Sequence, residues 1–264
     1  MTGLPIRSGV PARWTAALRG LRARRVMVAV GVLAAWQIAG ELNNPVVFPP
    51  VSAVAVALVN LIAHGGLLPA MGASLKLLAI GFGVAFAGGS LLGILLGRYR
   101  LLDVTLGPYV SALYATPAIA LVPLILVWFG FGLGGRVTVV FLASFFPILI
   151  NTYAGVRDAP GPLIEVARSL GVTGELGLLR KVIIPSAVPF IMAGVRLSIG
   201  RGVVGMAVAE VYLRLGGIGA LIVQYGAVFR TDYVIAAILP LPILGIGLTR
   251  LSALLEARLQ AWRT

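Results

Sequence analysis

Apolar and polar positions along the chain fall into long uninterrupted apolar runs separated by short polar or basic segments. A hydrocarbon core about 30 Å thick needs roughly 20 mostly apolar residues per helix. Read with that window, six helical spans are expected: Arg25–Gly40, Ser74–Gly97, Leu106–Phe129, Val137–Tyr153, Ala187–Leu213 and Tyr233–Ala253. Pro49-Pro50 stops any helix that runs out of the first span, and Val51–Ala63 then reads as a short apolar helix at the interface. The expected fold is all-α, a polytopic membrane protein with both termini on one side. The chain divides into a basic leader at 1–25 and a membrane domain at 26–264, with a large insertion at 154–186 between the fourth and fifth spans.

Composition agrees with the pattern. The 264 residues are 59% hydrophobic and 11% charged, whereas soluble domains run near roughly 45–50% and about 25%. The net charge of +13 would suggest nucleic acid in a soluble protein, but the positions of the charges explain it better. Of the 21 lysines and arginines, fifteen fall in the termini and the loops on their side, and only Arg136, Arg214 and Arg230 fall in the opposite loops. Lys76, Arg196 and Arg201 lie within spans or at their ends. The positive-inside rule therefore predicts cytoplasmic termini, a cell (inner) membrane location and no nucleic-acid partner. The basic start followed by an apolar run has the outline of a signal peptide, yet no small-x-small site follows and five more spans do.

Within the spans, Gly81, Ala85, Gly89, Gly93 and Gly97 recur every four residues and share one helical face. In lipid this pattern serves close helix packing, and a narrow conduit is the other reading. The third span contains Pro108, Pro117 and Pro123, which kink a helix either beside a pathway or for packing. Gly130 to Gly135 contains G-x-G-x-x-G but follows a membrane helix rather than a strand, so it reads as a tight turn.

Chemistry is sparse. There is no cysteine, His64 is the only histidine, and no metal site is expected. Neither Lys76 nor Lys181 stands in a phosphate-binding G-x-x-x-x-G-K-[ST] loop, so energy must come from another subunit or from a gradient. No acid pair shares a span at helical contact spacing, which argues against an embedded hydrolase. Arg201 and Glu210 lie in the fifth span, where a charge costs about 2.5–3.5 kcal/mol on insertion scales. They are expected to face a pathway or to find partners on other helices. Arg201 would favour small anions, Arg196 would snorkel or pair between helices, and Glu210 would pair with an outer-loop arginine.

The insertion at 154–186 reads as two short helices lying under the membrane. Pro162 opens the first, which carries Glu165 and Arg168, and Gly171 ends it; the second, about 174–182, runs to Pro185. Glu165, Val166, Ala167, Gly171, Ile184 and Pro185 resemble the EAA loop of ABC-importer permeases, whose pattern is Glu-Ala-Ala, three residues, Gly, then a spacer ending in Leu-Pro. Val166 and Ile184 depart from it, and the spacer from Gly171 to Pro185 is one residue longer.

Further strings in the same order resemble the branch that imports nitrate, taurine and alkanesulfonates: Ser74-Leu75-Lys76 to Gly81-Phe82, Pro117 to Pro123, Gly194-Val195-Arg196, Ala209-Glu210 and Thr231-Asp232. The resemblance covers about 46–262. It implies a type I importer fold and a homodimeric permease. Two copies of a separate ATP-binding subunit would carry the ATP and magnesium that this chain lacks, and an extracytoplasmic solute-binding protein would deliver substrate. Glu165, Ala167, Arg168, Gly171 and Pro185 would couple the ATPase to the spans, and Pro117, Pro123, Arg201 and Glu210 are the pathway candidates. A gradient-driven carrier is the alternative, but no convincing repeat between the halves supports it.

Overall fold

The computed structural model describes residues 12–259, and all regular structure in them is helical. The leader residues 1–11 lie outside the described residues. Helix α1 (Ala12–Leu42) leads into α2 (Val51–Ala63), the short helix expected after Pro49-Pro50. The turn between them is close-fitting. A Cβ on Gly40 would collide with the Pro50 backbone, and the Trp36 indole Nε1–H donates to the Pro49 carbonyl at 3.1 Å.

Helices α3 (Leu67–Arg98), α6 (Leu133–Arg157) and α9 (Ile184–Leu213) form the packed centre. Gly81, Ala85, Gly89 and Gly93 are buried, and α6 covers the small-residue face along its length. A Cβ at Gly81 would lie 2.6 Å from the Val140 Cβ, one at Gly93 2.7 Å from the Leu149 carbonyl, and one at Gly97 2.8 Å from the Val156 Cβ. The backbones approach this closely because nothing projects between them. On the other flank of α6, Gly194, Gly202 and Gly205 do the same for α9.

The third apolar run departs from the expected single kinked span. It consists of α4 (Arg100–Ala115), a 3-10 turn over Ala118–Leu121 and α5 (Val122–Phe129), and the two arms meet at 87°. The prolines explain the break. Pro117 forces Thr116 into extended backbone (φ −75°, ψ 129°), and Pro123 sits in the first turn of α5, where no N–H is missed. Pro108 is carried inside α4 without breaking it.

The insertion also differs in one respect. Helix α7 (Gly161–Ser169) stands where the first short helix was expected, but the second is not separate. Helix α8 (Glu175–Leu178) passes through a π-helical turn at Leu179–Ile183 straight into α9, a continuous rod of 39 residues. The Ile184 N–H reaches back to Leu179, five residues rather than four, and the widened turn admits the Pro185 ring.

After α9 the chain forms α10 (Ile218–Ala227), α11 (Thr231–Ile238) and α12 (Pro240–Leu259). The sequence predicts a loop before Thr231, where the structure places α10. Helix α2 lies against α11 through Val54, Ala57, Leu61, Ala236 and Ala237. Five helical stretches among the described residues are long and apolar enough to cross a membrane, and the bent α4–α5 pair makes a sixth.

Candidate functional site

At the 87° break a cavity of about 390 Å³ opens between α4, α5, α6 and α9. Its walls are mostly apolar, and Arg201 is the one charged residue of its lining. Glycine shapes its α6–α9 side: a Cβ on Gly205 would stand 2.8 Å from the Ala143 Cβ. The Arg201 guanidinium lies 5.1 Å from the centroid of the Tyr114 ring and donates to the Tyr114 hydroxyl at 3.2 Å. Phe146 continues the aromatic edge, with its ring 6.2 Å from that of Tyr114. Such a contact holds a guanidinium in place without neutralising it. A cationic group in an apolar wall can accept the anionic head of a solute.

The pathway candidates divide. Pro117 and Arg201 line the cavity, whereas Pro123 and Glu210 do not. Glu210 is 1% exposed and caps a neighbouring helix. Ser74, itself fully buried, donates its hydroxyl to Glu210 Oε1 at 2.7 Å and accepts the Ile218 N–H at 2.9 Å. The Gly219 N–H donates to Glu210 Oε2 at 3.0 Å. A carboxylate thus meets the positive end of the α10 dipole and satisfies amides that have no partner within the helix. The turn before α10 exists because residue 217 is glycine: its φ is 81°, and a Cβ there would strike the Glu210 carboxylate.

Of the arginines expected beside Glu210, Arg136 lies near enough to attract its carboxylate without forming an ion pair with it. Arg136 donates to the Leu215 carbonyl at 2.8 Å. Arg196 is paired between helices, with Glu256 of α12. At the start of α11, Arg230 donates twice to Asp232, at 3.1 and 3.0 Å, and these bonds hold its guanidinium above the ordinary arginine pKa.

The 154–186 insertion is ordered on one side and open on the other. Ala167 of α7 is buried with Val156, Leu178, Ile183 and Ala187. Glu165 and Arg168 are exposed, and so are the apolar side chains of Leu163, Val166, Leu170 and Leu176. Gly171 closes α7 in the left-handed region, φ 83°, with its N–H bonded to Arg168 O at 3.0 Å and the Val172 N–H to Ala167 O at 2.9 Å. This is a glycine stop of the Schellman kind. Pro185 lies beyond the π turn at the start of α9. Among the described residues, no group of three or more histidine, aspartate or glutamate side chains is placed to hold a metal ion.

Residues 89–261 match the family described as the binding-protein-dependent transport system inner membrane component. The chain belongs to this family of permeases. It is 36% identical over 236 residues to a Methanocaldococcus jannaschii protein named as an ABC transporter permease, covering 86% of this chain and 87% of that one. It is 32% identical over 234 residues to a Bacillus subtilis protein named as an aliphatic sulfonates transport permease, covering 88% and 84%. To the taurine transport system permease protein of Escherichia coli it is 29% identical over 250 residues, 90% of each chain. The protein is therefore an ABC-type permease, a multi-pass protein of the inner membrane, from a family of transport components rather than enzymes.

Two parts of the permease escaped sequence reading: the aromatic partner of Arg201 and the whole Ser74–Glu210–α10 junction. For the second, a signal was present. Gly216-Gly217-Ile218-Gly219 follows a span that ends on a buried acid, and clustered glycines before an apolar segment mark a tight turn into a helix.

Proposed function

We propose that this chain is the membrane-spanning subunit of an ABC importer for a small organic or inorganic anion of the nitrate, taurine and sulfonate kind. With the bent pair counted as one span, the six spans return both termini to the cytoplasm. The insertion at 154–186 is then cytoplasmic. Two copies of the chain form the solute path, and an extracytoplasmic binding protein delivers the solute. Two ATP-binding subunits, which hold the ATP and magnesium, dock on the insertions through Glu165, Ala167, Arg168 and Gly171, with Pro185 at the junction to the fifth span. The observation that carries this reading is the build of α7. It is fastened from below by Ala167, yet it leaves Leu163, Val166 and Leu170 apolar and uncovered. Exposed apolar clusters rimmed by charge mark protein contacts.

ATP-driven closure of the ATPase dimer would push α7 and tilt the rod from Glu175 to Leu213 that carries Arg201. Each ligand biases the inward-open or outward-open state only by its differential affinity for the two. Valine at position 171 tests the coupling role, since β-branched residues strongly disfavour φ near +83°. In the assembled transporter, Gly171→Val is expected to leave ATP hydrolysis running while taurine or alkanesulfonate uptake falls. Unchanged uptake with normal ATPase binding would contradict the coupling role.

A further inference from the structure

An ion pair between the insertion and the end of α3 lies at a joint. Arg98 is the last residue of α3, Tyr99 is extended, and α4 begins at Arg100. Arg98 donates from Nε and Nη2 to the two carboxylate oxygens of Glu175, both at 2.6 Å. Glu175 is the first residue of α8 and so of the long rod. Between α7 and Glu175 lie Gly171 and Gly174, both at φ 83°, so the docking helix is jointed just before the gripped residue.

What the elbow carries is loosely held. No residue of α4 is buried, in contrast to α3 and α6. Besides its covalent ends, α4 is held near its base by Asp103, which pairs with Arg157 of α6 at 3.4 Å, and near its far end by Tyr114, whose hydroxyl accepts from Arg201 of α9 at 3.2 Å. Its far end supplies Tyr114 and runs into Thr116 and Pro117 of the cavity wall. An arm with no buried residue between its two side-chain ties turns when its foot is moved.

We infer that the Arg98–Glu175 pair is the linkage through which the insertion moves α4, and with it the wall of the cavity. The inference rests on the coupling role proposed for the insertion. Two parallel bonds fix direction as well as distance, which a single ammonium contact would not do. As an exposed ion pair it contributes little to stability, so its loss removes the linkage without unfolding the chain.

The chain has no cysteine, which permits a direct test. Val84 on α3 and Tyr109 on α4 are both exposed and stand on the two sides of the elbow. Spin labels on Val84→Cys and Tyr109→Cys report the elbow angle in the complex with the ATP-binding subunits. The inter-label distance is expected to shift on addition of ATP and vanadate. Arg98→Glu and Glu175→Arg should each lose the shift while still co-purifying with the ATPase, and the double reversal should restore it. If a reversal fails to assemble, Glu175→Gln carries the same expectation of a lost shift. A full shift in the single variants overturns the linkage, as does a double reversal that assembles and stays silent. Failure of the unaltered chain to retain the ATPase would instead overturn the coupling reading beneath it.

Discussion

Glu210 and Arg201 lie nine positions apart on one helix, yet the fold uses them for different work. Burial of a carboxylate is tolerable only when hydrogen bonds replace water, and the Ser74 hydroxyl with the Gly219 amide of α10 does so. Glu210→Ala leaves those donors unsatisfied. A loss of about 1.5–3 kcal/mol per bond to the charged group is expected. Thermal unfolding of the purified protein should show it, and Ser74→Ala should cost less. An unchanged midpoint in Glu210→Ala would contradict the capping role. Arg201 faces the cavity, so Arg201→Gln should slow uptake of a sulfonate in the assembled transporter while assembly and melting stay normal. Both residues were legible in the sequence, because a charge in an apolar run demands a reason. Their partners were not. Ser74 lies 136 positions from Glu210, and Tyr114 lies 87 from Arg201. Periodicity carries no information at that separation.

At the scale of helices, the small-residue repeat in α3 shows how far a pattern reaches. Its four-residue spacing defines a face, and the structure supplies the element that closes it, α6. Gly89→Leu drives a side chain into Phe145 O and Ile148, each 3.0–3.2 Å from a mere Cβ. Forced overpacking of this kind costs about 1–3 kcal/mol. The variant is expected to express poorly or melt early, whereas Gly83→Leu, on an open face, should be silent. The six apolar runs and the stop at Pro49-Pro50 follow from hydropathy and missing N–H groups alone. Three features did not. The sharp break at Pro117 looked like an ordinary kink because proline fixes one residue and not the direction of the next helix. The π turn before Pro185 looked like a helix end for the same reason. Helix α10, ten residues long, is too short to span and was hidden in a loop.

Across the whole molecule, the rod from Glu175 to Leu213 joins the insertion at 154–186 to the cavity at the break. The proposed orientation rests on the basic residues, and the family gives the kind of machine. The claim that binds these together is that the insertion is the seat of an ATP-binding subunit on the inner face. In the cysteine-free chain, Leu170→Cys places one thiol on the exposed apolar side of α7. A short thiol-to-amine crosslinker added to the assembled transporter is expected to join that position to the ATP-binding subunit. A membrane-impermeant maleimide applied outside intact cells should leave it unlabelled. Labelling from outside, or a crosslink yield no higher than with a cysteine at Leu133 near the opposite end of α6, would contradict the account.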